Sequence, residues 1–332
     1  MKFYLAPLEG VTHYMYRNAY HAHFKPMDKY FTPFISAHPI TSFSNNDLNE
    51  ILPKNNKGLN VIPQILTNKA ADFLGTAEAI CQYGYEEINL NLGCPSKTVV
   101  SKNKGSGFLI YRDELNAFLE TIFEKATMKI SIKTRLGKFD ADEFYELVKI
   151  YNQYPLEELI IHPRVQRDMY KNTPNLEVFG DALSALNCPV CYNGDIFSLD
   201  EYQALHTRFP NIDTFMLGRG VIGNPGLLGL IQSGTAPPLE CYRSFHDMLF
   251  SSFKEVMHSE RYVLAKMKEQ WFYMVHIFTN CSEYYEAIKI CSTLEDYLHI
   301  VNTLFENEQL VENPTGYRNV VNIQNKKSLN NI

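Results

Sequence analysis

The chain has 332 residues, of which 45% are hydrophobic and 20% charged, so it is built to fold around a sizeable core and is not disordered. Its formal net charge of −6 excludes a global positive field, and any polyanionic partner would need a local basic groove. The length predicts one large domain with the roughly 250 residues of an α/β barrel, followed by a small one.

Eight short apolar runs predict the strands of the large domain. A turn and then a helix-length amphipathic stretch follow each run, and the runs are hydrophobic throughout rather than alternating. Such runs are typical of parallel strands buried on both faces, so we expect a (β/α)8 TIM barrel over residues 1–235. The runs lie near residues 3–7, 30–37, 61–66, 87–93, 129–134, 158–163, 190–194 and 214–218.

The pattern changes after a glycine- and proline-containing linker at 233–238. Residues 239–315 have helical periodicity without strand signals and predict a small all-helical domain. A basic face with one aromatic residue predicts an RNA contact in this domain, although the aromatic residue fits a core position equally well. That face comprises Arg261, Lys266, Lys268 and Trp271. We expect the polar tail at 316–332 to fray.

The seven cysteines are odd in number and scattered, which favours the reduced thiols of a cytoplasmic protein over a disulfide scaffold. Cys188 and Cys191 have CxxC spacing, but no second pair follows them. We interpret them as inert thiols of a buried strand and expect no metal. No signal-peptide pattern and no apolar run of about 18 residues occurs, so we predict neither export nor a membrane span.

Polar residues at the predicted strand ends indicate an active site, because the site of a TIM barrel lies at the C-terminal ends of its strands. Glycines and an arginine in YNGD and LGRG, at the seventh and eighth ends, are typical of a phosphate site. Lys133 is placed to stabilise an anion formed on an electron-accepting ring, or else is a snorkelling surface lysine. His162 either bonds a cofactor or substrate or is a structural donor.

The segment NLNLGCPSK at 89–97 places a thiol, Cys94, just after a strand end, in a loop fixed by proline. A thiol in that position serves as a nucleophile or a proton donor, or is structural. The glycine-rich segment 102–113 lacks the ending of a P-loop, and we interpret it as a mobile loop over the site. Arg135 and Arg164 are expected farther out, where they either reach substrate phosphates or are solvated charges.

Several segments, in this order and spacing, together resemble the dihydrouridine synthases. They are LAPLEGVTHYMYR, NLNLGCPSKTVV, SIKTRLG, IIHPR, NGDI and LGRG. The resemblance spans the barrel and implies an FMN-dependent TIM barrel followed by a helical domain that helps to hold tRNA. It also implies that flavin reduced by NADPH converts a specific uridine to 5,6-dihydrouridine.

The resemblance further implies roles for individual residues. Cys94 would protonate C5 of uracil while reduced flavin delivers hydride to C6, and the target base would leave its stack. Asn91, Arg135 and Arg164 would meet the uridine and its backbone, with Lys266 and Lys268 as further RNA contacts. The flavin would be bound by Pro7, Leu8, Glu9, Gln64, Lys133 and His162, and its phosphate by Asn193, Gly194, Asp195, Gly218 and Arg219.

Three positions depart from the commonest family pattern and leave the uridine position open. Leu8 stands in place of methionine, His13 in place of aspartate and Pro163 in place of glycine. Three alternatives also stay open: a ribosomal RNA target, a flavin barrel that reduces a small pyrimidine or enone, and an RNA-binding barrel without catalysis. The helical domain favours an RNA substrate. No stable protein partner is implied, and we expect a monomer.

Overall fold

The computed structural model describes residues 1–37, 43–312 and 314. Among these residues ten strands and fourteen α-helices occur. The strands are β1 (Lys2–Leu5), β2 (Lys29–Phe31), β3 (Ile35–Ser36), β4 (Val61–Ile62), β5 (Gln64–Leu66), β6 (Glu87–Leu92), β7 (Lys129–Gly137), β8 (Leu159–Val165), β9 (Val190–Tyr192) and β10 (Thr214–Leu217).

Helices follow the strands and then occupy the C-terminal region. They are α1 (Tyr14–His23), α2 (Asn45–Ile51), α3 (Ala70–Cys81), α4 (Lys97–Val100), α5 (Arg112–Lys125), α6 (Glu143–Tyr151), α7 (Leu176–Ala185), α8 (Leu199–Arg208), α9 (Arg219–Gly223), α10 (Leu227–Ser233), α11 (Leu239–Val256), α12 (Glu260–Met274), α13 (Cys281–Ile290) and α14 (Leu294–Asn307). Short 3-10 helices lie at Pro53–Asn55, Gly105–Gly107, Gln166–Asp168 and Val275–Ile277.

The strands form a closed barrel. Their order is β3-β5-β6-β7-β8-β9-β10-β1-β2-β4, and β2 pairs with β4 as β3 pairs with β5. The strand pair β2 and β3, and likewise β4 and β5, is therefore one barrel strand interrupted once. Proline explains both breaks, since Pro33 and Pro63 stand in the gaps and have no N–H for the ladder. The predicted eight-stranded α/β barrel with a helical C-terminal region is confirmed.

The chain divides into two compact units. The first comprises 1–14, 28–194 and 209–216 and holds the barrel strands except for the last residue of β10. The second comprises 15–27, 195–208 and the described residues from 217 onward. The second unit is larger than the predicted helical domain, since it also includes 15–27, 195–208 and the segment from 217. Within it α9 packs with α12, where Gln270 donates to the carbonyl of Ile222. The predicted boundary near 235–239 stays a prediction. The tail at 316–332 lies outside the described residues.

Charged and polar side chains line the barrel interior near the N-terminal ends of its strands. Lys29 Nζ lies 2.7 Å from Glu87 Oε2, and the Tyr4 hydroxyl donates to Glu158 at 3.0 Å. Burial raises the pKa of Glu158 to about 7, so this carboxyl is partly protonated at neutral pH. An apolar layer that includes Phe31, Ile160 and Met216 also fills the interior, so the barrel is a packed core.

The helices of the second unit enclose an aromatic core around Trp271, which is 0% exposed. Its indole Nε1 donates to the Tyr297 hydroxyl at 2.8 Å, and that hydroxyl lies 2.6 Å from His246 Nε2. Because an indole only donates, the Tyr297 proton points to His246, whose Nδ1 then donates to Asp247. Burial lowers the pKa of His246, which keeps this ring neutral.

No described helix is both long and apolar enough to cross a bilayer. Among the described residues no group of three histidine, cysteine or acidic side chains is arranged to hold a metal ion.

Removing the central hydroxyl of the aromatic core tests its contribution. Tyr297→Phe leaves the Trp271 donor and the His246 acceptor buried without partners, so we expect the free energy of unfolding to fall by about 1–3 kcal/mol. Urea unfolding measures it. Tyr262→Phe, at a ring that is 68% exposed, is the matched control and should unfold like the wild type. Equal midpoints for both variants would contradict the role of the Tyr297 hydroxyl.

Candidate active site

Strand register brings the predicted polar residues together inside the barrel. Gln64 of β5 is level with Asn89 of β6, Asn91 is level with Lys133 of β7, and Arg135 is level with His162 of β8. Level residues of neighbouring strands point to the same side of a sheet. These polar groups therefore form one cluster, as the analysis of strand ends predicts.

A continuous file of hydrogen bonds runs through this cluster. The Asn91 amide donates to Gln64 Oε1 at 2.7 Å, Gln64 Nε2 donates to Asn89 Oδ1 at 2.7 Å, and Asn89 Nδ2 donates to Ser131 Oγ at 3.0 Å. Ser131 then donates to Glu87 at 2.9 Å. Each side chain thus holds the next one, and the file ends on the partly buried Lys29–Glu87 pair.

At its other end, this file of hydrogen bonds fixes the loop that carries Cys94, which we name the thiol loop. Asn91 Oδ1 accepts the backbone N–H groups of Gly93 at 3.1 Å and Cys94 at 2.9 Å. The carbonyl of Cys94 accepts the Ser106 N–H at 3.1 Å and its hydroxyl at 2.8 Å. Backbone bonds on both sides of the half-buried thiol therefore hold it in place.

The Cys94 thiol keeps its proton at neutral pH. Burial raises its pKa above the ordinary value of a thiol, against the opposing effects of the Ser96 backbone and the Arg135 charge. A protonated thiol is a proton donor, whereas a nucleophile would need the thiolate. Of the alternatives left open by the sequence, the environment of Cys94 favours the proton donor.

Lys133 brings a cation into the same cluster. Its ammonium makes no hydrogen bond or ion pair with the rest of the described chain. Burial, reinforced by the charge of Arg135, lowers the pKa of Lys133 to about 7. It is therefore not a snorkelling surface lysine, and a negative charge beside it would raise its pKa again.

Arg135 and Arg164 do not lie farther out, so that prediction is wrong. They are 1% and 2% exposed, because residues two apart on a strand share a face and both side chains turn into the barrel mouth. Arg135 donates to the carbonyls of Gly93 at 2.9 Å and Val165 at 3.0 Å; Arg164 donates to the carbonyl of Asn172 at 2.6 Å and lies 3.0 Å from His162. Arg135 Nη2 is buried with no hydrogen-bond acceptor in the described structure.

Two further side chains of this region have no signature in the sequence. Tyr170, which is 46% exposed, covers the Arg135 guanidinium at 5.3 Å from its ring centroid and contacts His162. Ser106 is the second, and it belongs to the glycine-rich segment interpreted as a mobile loop. That segment instead has a buried 3-10 turn, Gly105–Gly107, packed on the thiol loop. No motif signals either residue, because both act through loop packing.

The predicted flavin residues at the first strand end lie in a tight turn. The Leu8 N–H bonds Thr12 Oγ1 at 2.8 Å, and the Leu8 carbonyl accepts two backbone N–H groups of this turn. Gly10 has φ +80°, a value that favours glycine, so the turn holds Pro7, Leu8 and Glu9 in fixed positions.

The predicted phosphate residues are described within their own units. Asn193 of the first unit, which precedes Gly194, donates to the carbonyl of Met216 at 2.8 Å. In the second unit Arg219 lies 2.6 Å from Asp195 and over the Phe197 ring, after Gly218 at the start of α9. Their binding of phosphate stays a prediction.

Three residues of the predicted basic face of the helical region are buried or already bonded. Trp271 is buried, which makes its RNA contact wrong. Lys266 pairs with Glu269 at 2.9 Å, and Lys268 donates to the carbonyls that end α13.

The prediction that Cys188 lies in a buried strand is wrong, because Cys188 precedes β9 and is half-buried. Cys191 lies in that strand and is fully buried.

Comparisons with known proteins identify the family of the chain. The sequence model "Dihydrouridine synthase (Dus)" matches residues 4–319. The tRNA-dihydrouridine synthase B of Pasteurella multocida is 27% identical over 234 residues, which cover 70% of this chain and 69% of that relative. A probable tRNA-dihydrouridine synthase of Staphylococcus epidermidis is 30% identical over 233 residues, covering 67% of this chain and 69% of the relative.

Among solved structures, a variant of NCR from Zymomonas mobilis aligns with a TM-score of 0.49 and 14% identity, over 74% of this chain and 94% of the other. The barrel itself is established by its own strand pairings. Since the family match runs from the first barrel strand past the last described helix, the chain belongs to the dihydrouridine synthase family, as its motifs predict.

Proposed function

We propose that this protein is a tRNA-dihydrouridine synthase that uses FMN and NADPH to reduce the C5–C6 double bond of a uridine. Family membership supports an oxidoreductase of this class, and the names of the relatives support tRNA as the substrate. One observation carries the proposal: Asn91 Oδ1 accepts the backbone N–H of Cys94, the residue that bears the thiol, and Asn91 is level with the unpaired ammonium of Lys133.

The residues of the barrel mouth fit a flavin. A flavin ring has acceptor atoms along its pyrimidine edge, where negative charge gathers on reduction. Lys133 has no acceptor in the described chain, and Arg135 Nη2 is buried without one, so donors for such an edge are present. Gln64 uses one N–H toward Asn89 and keeps a second. When bound, the flavin would supply hydride to C6 of uracil.

Cys94 would complete the reduction. Addition of hydride at C6 leaves negative charge on C5 and the adjoining carbonyl of uracil, and transfer of the thiol proton to C5 neutralises it. The raised pKa of Cys94 keeps that proton available at neutral pH. Asn91 and Ser106 would hold the thiol at one position during this transfer.

Lys133 would stabilise the negative charge of the reduced ring. Asn91 keeps one amide N–H for the uracil edge, and Arg135 and Arg164 would add positive charge in the same cluster. Flipping the base costs a few kcal/mol and favours loop uridines. Pro7, Leu8, Glu9 and His162, and the residues assigned to the phosphate, remain predictions in this proposal, as does the cytoplasm as the compartment.

Reconstitution tests the function. Purified protein loaded with FMN, NADPH and tRNA transcribed without modifications should yield dihydrouridine, detected by mass spectrometry of nucleosides. Ribosomal RNA serves as the parallel substrate. Protein that binds no flavin, or that forms no dihydrouridine in either RNA, would contradict the proposal.

Cys94→Ala removes the proton donor but leaves the backbone bonds of its loop. We expect the turnover of tRNA-bound uridine to fall about 100-fold or more, with flavin content unchanged. Cys81→Ala, at an exposed thiol of α3, is the matched control and should turn over like the wild type. Unchanged turnover of Cys94→Ala at saturating NADPH and tRNA would exclude the thiol as the donor.

Lys133→Met replaces the ammonium by an uncharged side chain of similar length. Loss of a charged hydrogen bond to the ring should weaken FMN binding about 10- to 100-fold, as measured by flavin fluorescence. The flavin-free variant should melt at a higher temperature than the wild type. This gain is largest at and below pH 7 and disappears toward pH 10. Above pH 7 the lysine of the folded wild type is neutral while that of the unfolded chain is still protonated, and the cost of removing this proton on folding falls as the pH approaches the ordinary pKa of a lysine. Wild-type affinity together with a pH-independent melting difference would contradict this role.

A further inference from the structure

We propose that three lysines in the loops at the barrel mouth, Lys69, Lys102 and Lys104, hold the phosphate backbone of the RNA beside Cys94. We name them the loop lysines. This inference rests on the proposed function, which makes RNA the substrate, and it assigns the electrostatic contact to the barrel instead of to Lys266 and Lys268.

The loop lysines come from two loops that leave adjacent strands. Lys69 follows β5, and Lys102 and Lys104 follow β6 and α4, so both loops lie at the C-terminal edge of the barrel. The Asn68 amide ties the loops together by donating to the carbonyls of Lys102 and Asn103, each at 3.2 Å. The three lysines therefore form one surface.

Their ammonium groups have no bonded counter-charge in the part of the chain that the structure describes. None of the three ammonium groups forms an ion pair or hydrogen bond within the described structure. Partial burial lowers the pKa of Lys104, and the charges of Lys102 and Lys69 lower it further, while Asp72 opposes this from beyond ion-pair distance. Like charges held this close repel one another, and a bound anion relieves that repulsion. In a chain with a net charge of −6, such a local excess is a specific feature.

Packing and hydrogen bonds connect the segment of the loop lysines to the residue that bears the thiol. Lys104 immediately precedes Gly105, whose φ is +56° and where a Cβ would lie 2.7 Å from the carbonyl oxygen of Cys94. The next residue, Ser106, donates both its N–H and its hydroxyl to that same oxygen. A phosphate bound by the loop lysines would thus be held at a fixed offset from the Cys94 thiol, which is what positioning one chosen uridine requires.

The lysines of the helical region differ in this respect. Lys266 is paired with Glu269, Lys289 with Glu286, and Lys268 is occupied by two backbone carbonyls. Binding a phosphate there would first break an existing bond. The loop lysines have no such bond to break, and two of them, Lys69 and Lys102, are exposed.

The test measures binding of unmodified tRNA to FMN-loaded protein by fluorescence anisotropy over a range of salt concentrations, without NADPH. The variant is Lys69→Gln, Lys102→Gln and Lys104→Gln combined. Its matched control removes three exposed lysines at the opposite edge of the barrel, where strands begin, as Lys54→Gln, Lys57→Gln and Lys125→Gln.

We expect the loop variant to bind tRNA at least about tenfold more weakly near 0.15 M salt. We also expect the slope of log affinity against log salt to fall by about 2, because each phosphate contact contributes close to one. The control should keep both values. With NADPH added, the KM for tRNA should rise while turnover at saturating tRNA stays near that of the wild type.

Equal affinity and slope for the loop variant and the wild type would overturn the inference, whatever the turnover. Dihydrouridine formation by the wild type in that case would leave the proposed function standing. Conversely, a reduced slope in a protein that makes no dihydrouridine would support the surface and contradict the function. Loss of binding to vesicles of anionic phospholipid, with tRNA binding unchanged, would assign the surface to a membrane and overturn the proposal.

Discussion

The hydrogen-bond file inside the barrel sets the geometry on which the candidate site depends. At one end the backbone N–H groups of Gly93 and Cys94 only donate, and at the other the carboxylate of Glu87 only accepts. Every bond between them must therefore run in one direction. The amide orientations of Asn91, Gln64 and Asn89 are fixed by the ends of the file rather than by their immediate contacts.

This order explains how a barrel with a polar interior can hold one thiol loop in one place. An unsatisfied buried amide costs about 1–3 kcal/mol, so rotation of any one amide would disrupt both of its neighbours. Two cations lie alongside, Lys133 half-buried and Arg135 buried, and both have a pKa lowered by desolvation. The protein alone gains no stability from them, which is typical of a site arranged for a ligand.

Much of this arrangement could be predicted from sequence. The apolar runs located every barrel strand, and strand ends located Cys94 and Lys133, because parallel strands bring their C-terminal ends to one edge. The burial of Arg135 and Arg164 could not be predicted, since charge suggests exposure, while the carbonyls that they bond become neighbours only when the barrel mouth has folded. Trp271 fitted two periodicity-based interpretations equally well, and only packing against Tyr297 decides between them. Tyr170 and Ser106 lie in loops, where position depends on the whole fold.

The break in the barrel strand at Pro63 restricts which residues can occupy position 32. Beyond the break, the backbone N–H of Gln64 is bound at 3.0 Å by the hydroxyl of Thr32 instead of by a backbone carbonyl. A side chain thus substitutes for one rung of the ladder between two barrel strands. Position 32 should accept serine but not the isosteric valine. A residue outside the predicted set of binding residues is thus constrained in evolution by a missing backbone proton elsewhere.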